Sequence, residues 1–399
     1  MGNIVCIDKD IKIAIVCPWF YKGDAVGQNA YDHYRAFRSL GFRNVRGIGT
    51  RNDYQDMPFE FAGGREALEK NAWFKQANII IYHFAIYHEY FDVIASRKKN
   101  GKHVVCFHNV TPKHLMPVHT WEVIDKSFAQ IQAFNFADAI WADSRENLEE
   151  LQRQGILQTP IFELPLPVEH PIKMTRFSEK ECRRIEILCV GRFFSSKGVL
   201  DVVRAMKSVQ RCAQFPTILR LVGNTDFSDY NYIQEIKTTI RQLGLGEYVD
   251  FVGKVDGPTL DRLFSQAHIY VSASYHEGFC VPVIEALRAG AIPVTYDAGN
   301  LKWIAGQCGI QVPTGNVEAF GVALANLVSV IKYSIREPDV NLFKMGVENQ
   351  SSTSDLSFVS ANSFSEMACK HALTYSFDSF KSNILLALSN VYRGAVSNV

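Results

Sequence analysis

Short apolar runs alternate with amphipathic stretches along the chain, the pattern of parallel sheets whose strands are buried on both faces and covered by helices. In the first half the runs are IKIAIVC from Ile11, NVRGI from Asn44, NIIIYHF from Asn78, KHVVCFH from Lys102 and AIWADS from Ala139. A Pro-rich joint from Leu164 to Lys173 interrupts the series. A second series follows: IEILCVGR from Ile185, ILRLVGN from Ile218, YVDFVGK from Tyr248, HIYVSAS from His268 and AIPVTYD from Ala291. The alternation predicts an α/β protein of two doubly wound parallel-sheet domains joined near residue 170. Glu337 to Ser365 is polar and Ser-rich and is expected to be a mobile loop or insertion, whereas Ser376 to Arg393 has helical apolar spacing.

Composition narrows the class. At 399 residues the chain is long for one core and suits two domains of about 200 residues each. With 47% apolar and 21% charged residues it reads as an ordinary soluble globular protein. Its net charge of +1 gives no strong field toward nucleic acid or an anionic membrane, so partners must be read from sites. The 9 cysteines form no CxxC pair, which argues against a disulfide framework and a zinc site and points to a reducing cytoplasm. The N-terminus carries acids where a signal peptide carries bases, and no apolar run approaches the ~18 residues of a spanning helix.

Ligands of doubly wound sheets bind beyond the C-terminal edges of the strands. The stretch ASYHEGFCVPVIEALRAG, Ala273 to Gly290, reads as a loop leaving a strand and entering a helix, with Glu277 on the loop and Glu285 about one turn inside the helix. Pro282 suits the first helical turn and Gly290 its end. The amides of Gly278, Phe279 and Cys280 lead into that helix start, which attracts phosphate. After IEILCV, the loop GRFFSSKG brings Arg192 and Lys197 together near another helix start, enough positive charge to neutralise a diphosphate. Read structurally, Lys197 is a solvated helix-entry charge, Arg192 an ion-pair partner and Glu285 a helix-dipole partner. Read functionally, Glu285 takes the hydroxyls of a ribose. A glycosidase with the two acids as acid and base also fits the residue types, but leaves the two cations without work.

GRFFSSKG followed by EGFCVPVIE resembles the retaining, sugar-nucleotide-dependent glycosyltransferases of the GT-B fold, glycosyl transferases group 1, with their E-x7-E motif. VGQNAYDHYRAFRSLG from Val26, HNVTP from His108, WADSRENLEEL from Trp141, ELPLPVE from Glu163 and YSFDSFKSNIL from Tyr375 extend the likeness through nearly the whole chain. The resemblance implies two Rossmann-like domains facing a central cleft. These are an acceptor-side domain over 1–170 and a donor-binding domain over 171–379, with a last helix of about 380–399 packing back on the first. It implies that Arg192 and Lys197 hold the donor's phosphates, that Glu285 binds the ribose, and that Glu277 sits against the donor sugar. His108 then lies close to the transferred sugar and Gly27 by the diphosphate. Ser144, Asn109 and His83 are candidates for positioning the substrate.

The implied reaction is transfer of a hexose from a nucleoside-diphosphate sugar, GDP-mannose or a UDP-sugar, with retention of configuration. The expected acceptor is a lipid-linked glycan in bacterial surface or exopolysaccharide synthesis. A transferase of the same fold acting on a soluble sugar or glucan, and a non-catalytic sugar-nucleotide-binding protein, stay open. Negative charge developing on the leaving phosphate is met by the two cations and helix-start amides, so no metal or other cofactor is expected. Histidines crowd the first half as His83/His88, His103/His108 and His114/His119, but pairs five apart suit neither one helix face nor usual zinc spacings. The literal D-x-D of Asp8 and Asp10 lies in the leading tail and is expected to be solvated. Aromatic residues at the first-half strand ends, Trp19, Phe20, Tyr21, Tyr82, Phe84, Tyr87, Tyr90 and Phe91, with Met116 and Trp121, are acceptor candidates or core. Arg97, Lys98, Lys99, Lys102 and Lys113 suggest peripheral contact with the inner face of the plasma membrane.

Overall fold

The computed structural model describes residues 7–95, 101–169, 174–180, 183–212, 215–337, 339–345 and 357–393. The backbone separates into two compact units, Met1–Pro167 with Ser376–Val399, and Val168–Tyr375.

The first unit holds a 7-stranded sheet. Its strands are β1 (Lys12–Val16), β2 (Asn44–Gly49), β3 (Phe59–Phe61), β4 (Ile79–Phe84), β5 (Lys102–Phe107), β6 (Ala139–Ala142) and β7 (Ile161–Glu163). They lie in the order β3-β2-β1-β4-β5-β6-β7, every neighbouring pair parallel. Burial explains which strands the apolar pattern reveals. β4 is buried at every position, as a central strand covered on both faces must be, whereas the short edge strands β3 and β7 are partly exposed and carry no clear apolar run. Beside the sheet, Trp19–Phe20 and Arg51–Asn52 form a two-residue parallel ladder. Helix α1 (Ala25–Ser39) starts at Asp24, whose carboxylate accepts from the amide of Gly27.

The second unit repeats the plan with a 6-stranded parallel sheet. Its strands are β8 (Ile185–Val190), β9 (Thr217–Val222), β10 (Val249–Gly253), β11 (Ile269–Ser272), β12 (Ile292–Tyr296) and β13 (Ile310–Val312). The order β10-β9-β8-β11-β12-β13 places the reversal of strand order between β8 and β11. Helix α2 (Val199–Cys212) follows β8, α3 (Val281–Arg288) follows β11 and α4 (Val317–Arg336) follows β13. Two such parallel α/β domains are the doubly wound pair of the GT-B fold. α4 is the one helix among the described residues long and apolar enough to cross a membrane, contrary to the expectation that no apolar run approaches that length. It packs against α2 and buries Phe320, Leu324, Leu327, Val328 and Ile331 in its own domain.

Within the Ser-rich stretch, the structure replaces the expected loop by paired backbone where it is described. Asn341–Met345 and Ser357–Ser360 run antiparallel, and residues 346–356 lie outside the described residues. Ser360 then caps the helix Ala361–Ala372, accepting from the amide of Ser363 at 3.1 Å, so a serine that read as a loop marker is a helix start.

The last helix, α5 (Phe377–Arg393), belongs to the first unit although the second intervenes in sequence. Phe380, Ile384 and Leu388 recur every four residues on one face and join Ile13, Ile15, Phe37, Ile79 and Trp141 in a shared core. Leu388 is fully buried, so Leu388→Ala should cost about 3 kcal/mol by the usual range for such truncations. Calorimetry should show the first unit's transition moving down while that of the second stays in place; equal shifts in both would contradict the assignment of this helix.

Candidate functional site

In an open parallel sheet the crevice at the reversal of strand order is where the loops diverge and a ligand fits. In the second unit that place is flanked by the loops after β8 and β11, which carry Arg192 to Gly198 and Ala273 to Cys280. The two loops are joined along their length. The amide of Tyr275 donates to the carbonyl of Ser196 at 2.9 Å. Gly198 sits with φ of +60° against the Ala273 carbonyl, where a Cβ would come within 1.9 Å of the oxygen, so only glycine fits. Lys197 Nζ donates to Glu277 Oε1 at 2.7 Å, with side chains 27% and 12% exposed.

Glu277 is fixed from its other side as well. Its carbonyl accepts from the amide of Asn300 at 2.9 Å, and Gly299, with φ of +53°, lies so close that a Cβ would stand 2.5 Å from the same oxygen. Asn300 Nδ2 donates to the Phe279 carbonyl at 3.0 Å. On the inner side, the Tyr275 hydroxyl donates to Asp201 Oδ2 at 2.6 Å and Tyr296 donates to the same oxygen at 3.0 Å. Cys280 precedes α3 with φ of 76°, a left-handed conformation that costs a non-glycine residue roughly 1 kcal/mol. Burial pushes its thiol well above the ordinary range, which keeps it an inert packing group. Pro282 follows in the first turn, and Glu285 is 5% exposed one turn inside the helix. Arg192 is exposed, its guanidinium 5.6 Å over the Phe194 ring.

An ammonium has three protons to donate. Among the described residues Lys197 gives one to Glu277, which leaves it able to hold that carboxylate and an incoming phosphate oxygen together. Lys197 and Glu277, 80 positions apart, are thus brought together, and Arg192 shares the loop of Lys197. Asp201, Tyr275, Gly299 and Asn300 escaped the sequence reading. Their signal is contact between segments, which spacing does not carry.

In the first unit the candidates gather at the C-terminal ends of β4, β5 and β6. His83 Nδ1 and His108 Nε2 are 2.9 Å apart, and His108 Nδ1 lies 2.6 Å from Asp143 Oδ2. Both ring nitrogens of His108 are therefore engaged within the domain. Burial raises the Asp143 carboxyl against the opposing pull of His108, and burial holds His83 well below the usual histidine range. Asn109, with φ of 77°, donates through Nδ2 to Asn147 Oδ1 at 2.6 Å. Ser144 caps the helix Arg145–Arg153, accepting from the Asn147 amide at 3.2 Å, a structural role for this candidate. Asp143 and Asn147 are the residues missed here, although both lie in the WADSRENLEEL stretch.

Gly27 lies inside α1, and the space of its absent side chain is filled by backbone: a Cβ would stand 2.6 Å from Tyr21 N and 2.8 Å from Trp19 O. Its amide is already bonded to Asp24, so packing accounts for this glycine. Of the five-apart histidines, His103 meets Tyr82 at 3.0 Å and His83 meets His108 at 2.9 Å. A buried set of His33, His83 and Cys106 has ligand atoms within 4.8 Å of one another. That spread exceeds the roughly 3.5 Å between neighbouring ligands of a tetrahedral zinc, and His33 stacks on Trp141 at 5.6 Å as a core ring does. Asp10 pairs with exposed Arg43 at 3.0 Å, just before β1 and β2, at the strands' N-terminal ends.

Of the aromatic acceptor candidates, Phe20, Tyr82, Phe84, Tyr90 and Phe91 are core, while Trp19 is 51% and Trp121 38% exposed. Arg97, Lys98 and Lys99 lie outside the described residues. Lys102 pairs with Asp138 and Lys113 with Asp125, each within 3.0 Å, which neutralises both.

Residues 173–330 match the family model of glycosyl transferases group 1. Over 36% of the chain, an uncharacterized glycosyltransferase of Methanocaldococcus jannaschii is 31% identical, the aligned stretch covering 35% of that protein. A GDP-Man:Man(3)GlcNAc(2)-PP-Dol alpha-1,2-mannosyltransferase of Dictyostelium discoideum is 29% identical over 22% of the chain and 17% of its own length. The chain thus spans about a third or less of these curated relatives. In fold, 95% of the chain superposes on 99% of Anabaena HepE, solved with UDP and glucose, at a TM-score of 0.69 and 16% identity.

Two outcomes test this geometry. Gly198→Ala should break the contact between the loops and weaken nucleotide binding at least about tenfold by calorimetric titration, because the opposing atom is backbone and cannot yield. In the first unit, His33 is held down to about 3 by burial against an ordinary 6.5, so the unfolded chain binds the extra proton across that window. Folded-state stability should therefore fall as pH drops from 6.5 toward 3, by up to about 1.4 kcal/mol per pH unit from this group. Urea midpoints measured against pH should flatten in that window in His33→Gln; an unchanged slope would remove His33 as the cause.

Proposed function

We propose, from the premise that residues 173–330 belong to glycosyl transferases group 1, that the chain is a retaining, metal-independent hexosyltransferase using a nucleoside-diphosphate sugar. The observation that carries this reading is the Lys197–Glu277 contact at the reversal of strand order, with Arg192 on the same loop. The arrangement matches the two ends of the bond to be broken. As the bond from the anomeric carbon to the diphosphate oxygen opens, its electron pair goes to the phosphate, where Lys197, Arg192 and the amides of Gly278, Phe279 and Cys280 meet the growing negative charge. Positive character grows on the sugar, next to the Glu277 carboxylate. The acceptor hydroxyl attacks from the face the phosphate leaves and passes its proton to the departing phosphate oxygen. Configuration is thereby kept, and no metal is required. Glu285 receives the ribose hydroxyls.

The donor is GDP-mannose or a UDP-sugar: the mannosyltransferase relative uses GDP-Man, and the HepE structure holds UDP. The acceptor is a lipid-linked glycan reached at the inner face of the plasma membrane by a cytoplasmic enzyme. Support comes from the dolichol-linked substrate of that relative and from Val118 and Trp121, both exposed on the segment after β5.

A thermal-shift panel of UDP, GDP, ADP and dTDP tests the donor, since a ligand at 100 times its dissociation constant adds about 2.7 kcal/mol. One of the first two should raise the melting temperature, and the matching sugar nucleotide should release nucleoside diphosphate with or without EDTA. Glu277→Ala should abolish transfer while sparing nucleotide binding, and Lys197→Ala should weaken both. Wild-type turnover in Glu277→Ala, or loss of all activity in EDTA, would overturn the mechanism.

A further inference from the structure

We propose that Asp201, acting through the hydroxyl of Tyr275, is a positioning residue that sets the Glu277 carboxylate for transfer. The proposal rests on the reading of Glu277 given above. Tyr275 stands two residues before Glu277 on the loop after β11, and Asp201 stands four residues after Lys197 in the first turn of α2. One carboxylate therefore ties the segment bearing the cation to the segment bearing the acid.

A buried carboxylate is costly unless donors surround it. Asp201 is 6% exposed and has three: Tyr275 at 2.6 Å and Tyr296 at 3.0 Å on Oδ2, and Arg204 at 3.3 Å on Oδ1. Its place in the first turn of α2 is also favourable to negative charge. The two tyrosines differ in what they hold. Tyr296 is fully buried at the end of β12, whereas Tyr275 is half-buried and continues directly into the loop of Glu277. Burial, then the bond to Asp201, pushes the Tyr275 hydroxyl up to about 12, so it stays a donor at neutral pH. With the Tyr275 side chain released, the loop keeps its bonds to Ser196 and Asn300 but loses the side-chain anchor between them. The carboxylate then stays close to Lys197 without being held in one orientation, which affects the reacting state more than nucleotide binding.

Because both tyrosines donate to one oxygen, they form an internal control. Nucleoside diphosphate release should be followed with the wild type's preferred donor, UDP-glucose or GDP-mannose, in wild type, Tyr275→Phe, Tyr296→Phe, Asp201→Asn and the Tyr275→Phe/Asp201→Asn double variant. Tyr275→Phe should lower kcat about tenfold with the nucleotide Kd within about twofold of wild type. Tyr296→Phe should lose more in melting temperature and little in kcat. The double variant should be no slower than Asp201→Asn, since both changes break one link. Wild-type kcat in Tyr275→Phe, or equal kcat losses in the two tyrosine variants, overturns the positioning role while leaving the transferase reading intact. No release by wild type with either donor overturns both.

Discussion

The contact of Gly198 with the Ala273 carbonyl is the constraint on which the second domain's site depends. Two parallel strands at a reversal of strand order send their helices to opposite faces, so the loops that follow them tend to part. Here they are held edge to edge because one has no side chain at the crossing point, and Tyr275 then reaches the Ser196 carbonyl. Once the backbones are this close, Lys197 and Glu277 fall within a hydrogen bond of each other. The ion pair follows from the backbone contact. A partly exposed pair is worth about 1 kcal/mol or less, too little to pull two loops together by itself.

Much of this was legible in the chain. All ten proposed apolar runs are strands, because a central parallel strand is buried on both faces and must be apolar throughout, as β4 and β11 are. What escaped were elements without that signature. β3, β7 and β13 are edge strands of three residues, half exposed, and the Trp19–Phe20 ladder is too short for a period to show. The helix α4 was hidden differently: Lys332, Glu318 and Arg336 at its ends masked a middle apolar enough to resemble a span.

The site shows the same division. Residues next in sequence to strand ends, such as Lys197, Glu277 and His108, can be proposed because the sheet's C-terminal edge is where ligands go. Residues that hold them cannot, since Asp143 finds His108 across 35 positions and Asp201 finds Tyr275 across 74. Gly27 carries a second signal that spacing does not show. The space of its absent side chain is taken by the backbone of Trp19 and Tyr21, a contact between segments.

The charge arrangement in the two domains differs in a way that bears on chemistry. At the strand ends of the first, the titratable cluster is sealed: His108 has both nitrogens engaged, Asp143 is buried against it, and burial keeps His83 neutral at physiological pH. Such a network is rigid and can orient its neighbours, but offers little charge to solvent. In the second, Lys197 remains 27% exposed and Arg192 lies open over Phe194. A polyanion reaching that domain meets cations that are fixed in place yet not used up. Lys197 need not release Glu277 to bind a phosphate oxygen, because among the described residues it gives only one of its three protons to that carboxylate. One ammonium can therefore hold the acid and a phosphate oxygen at once.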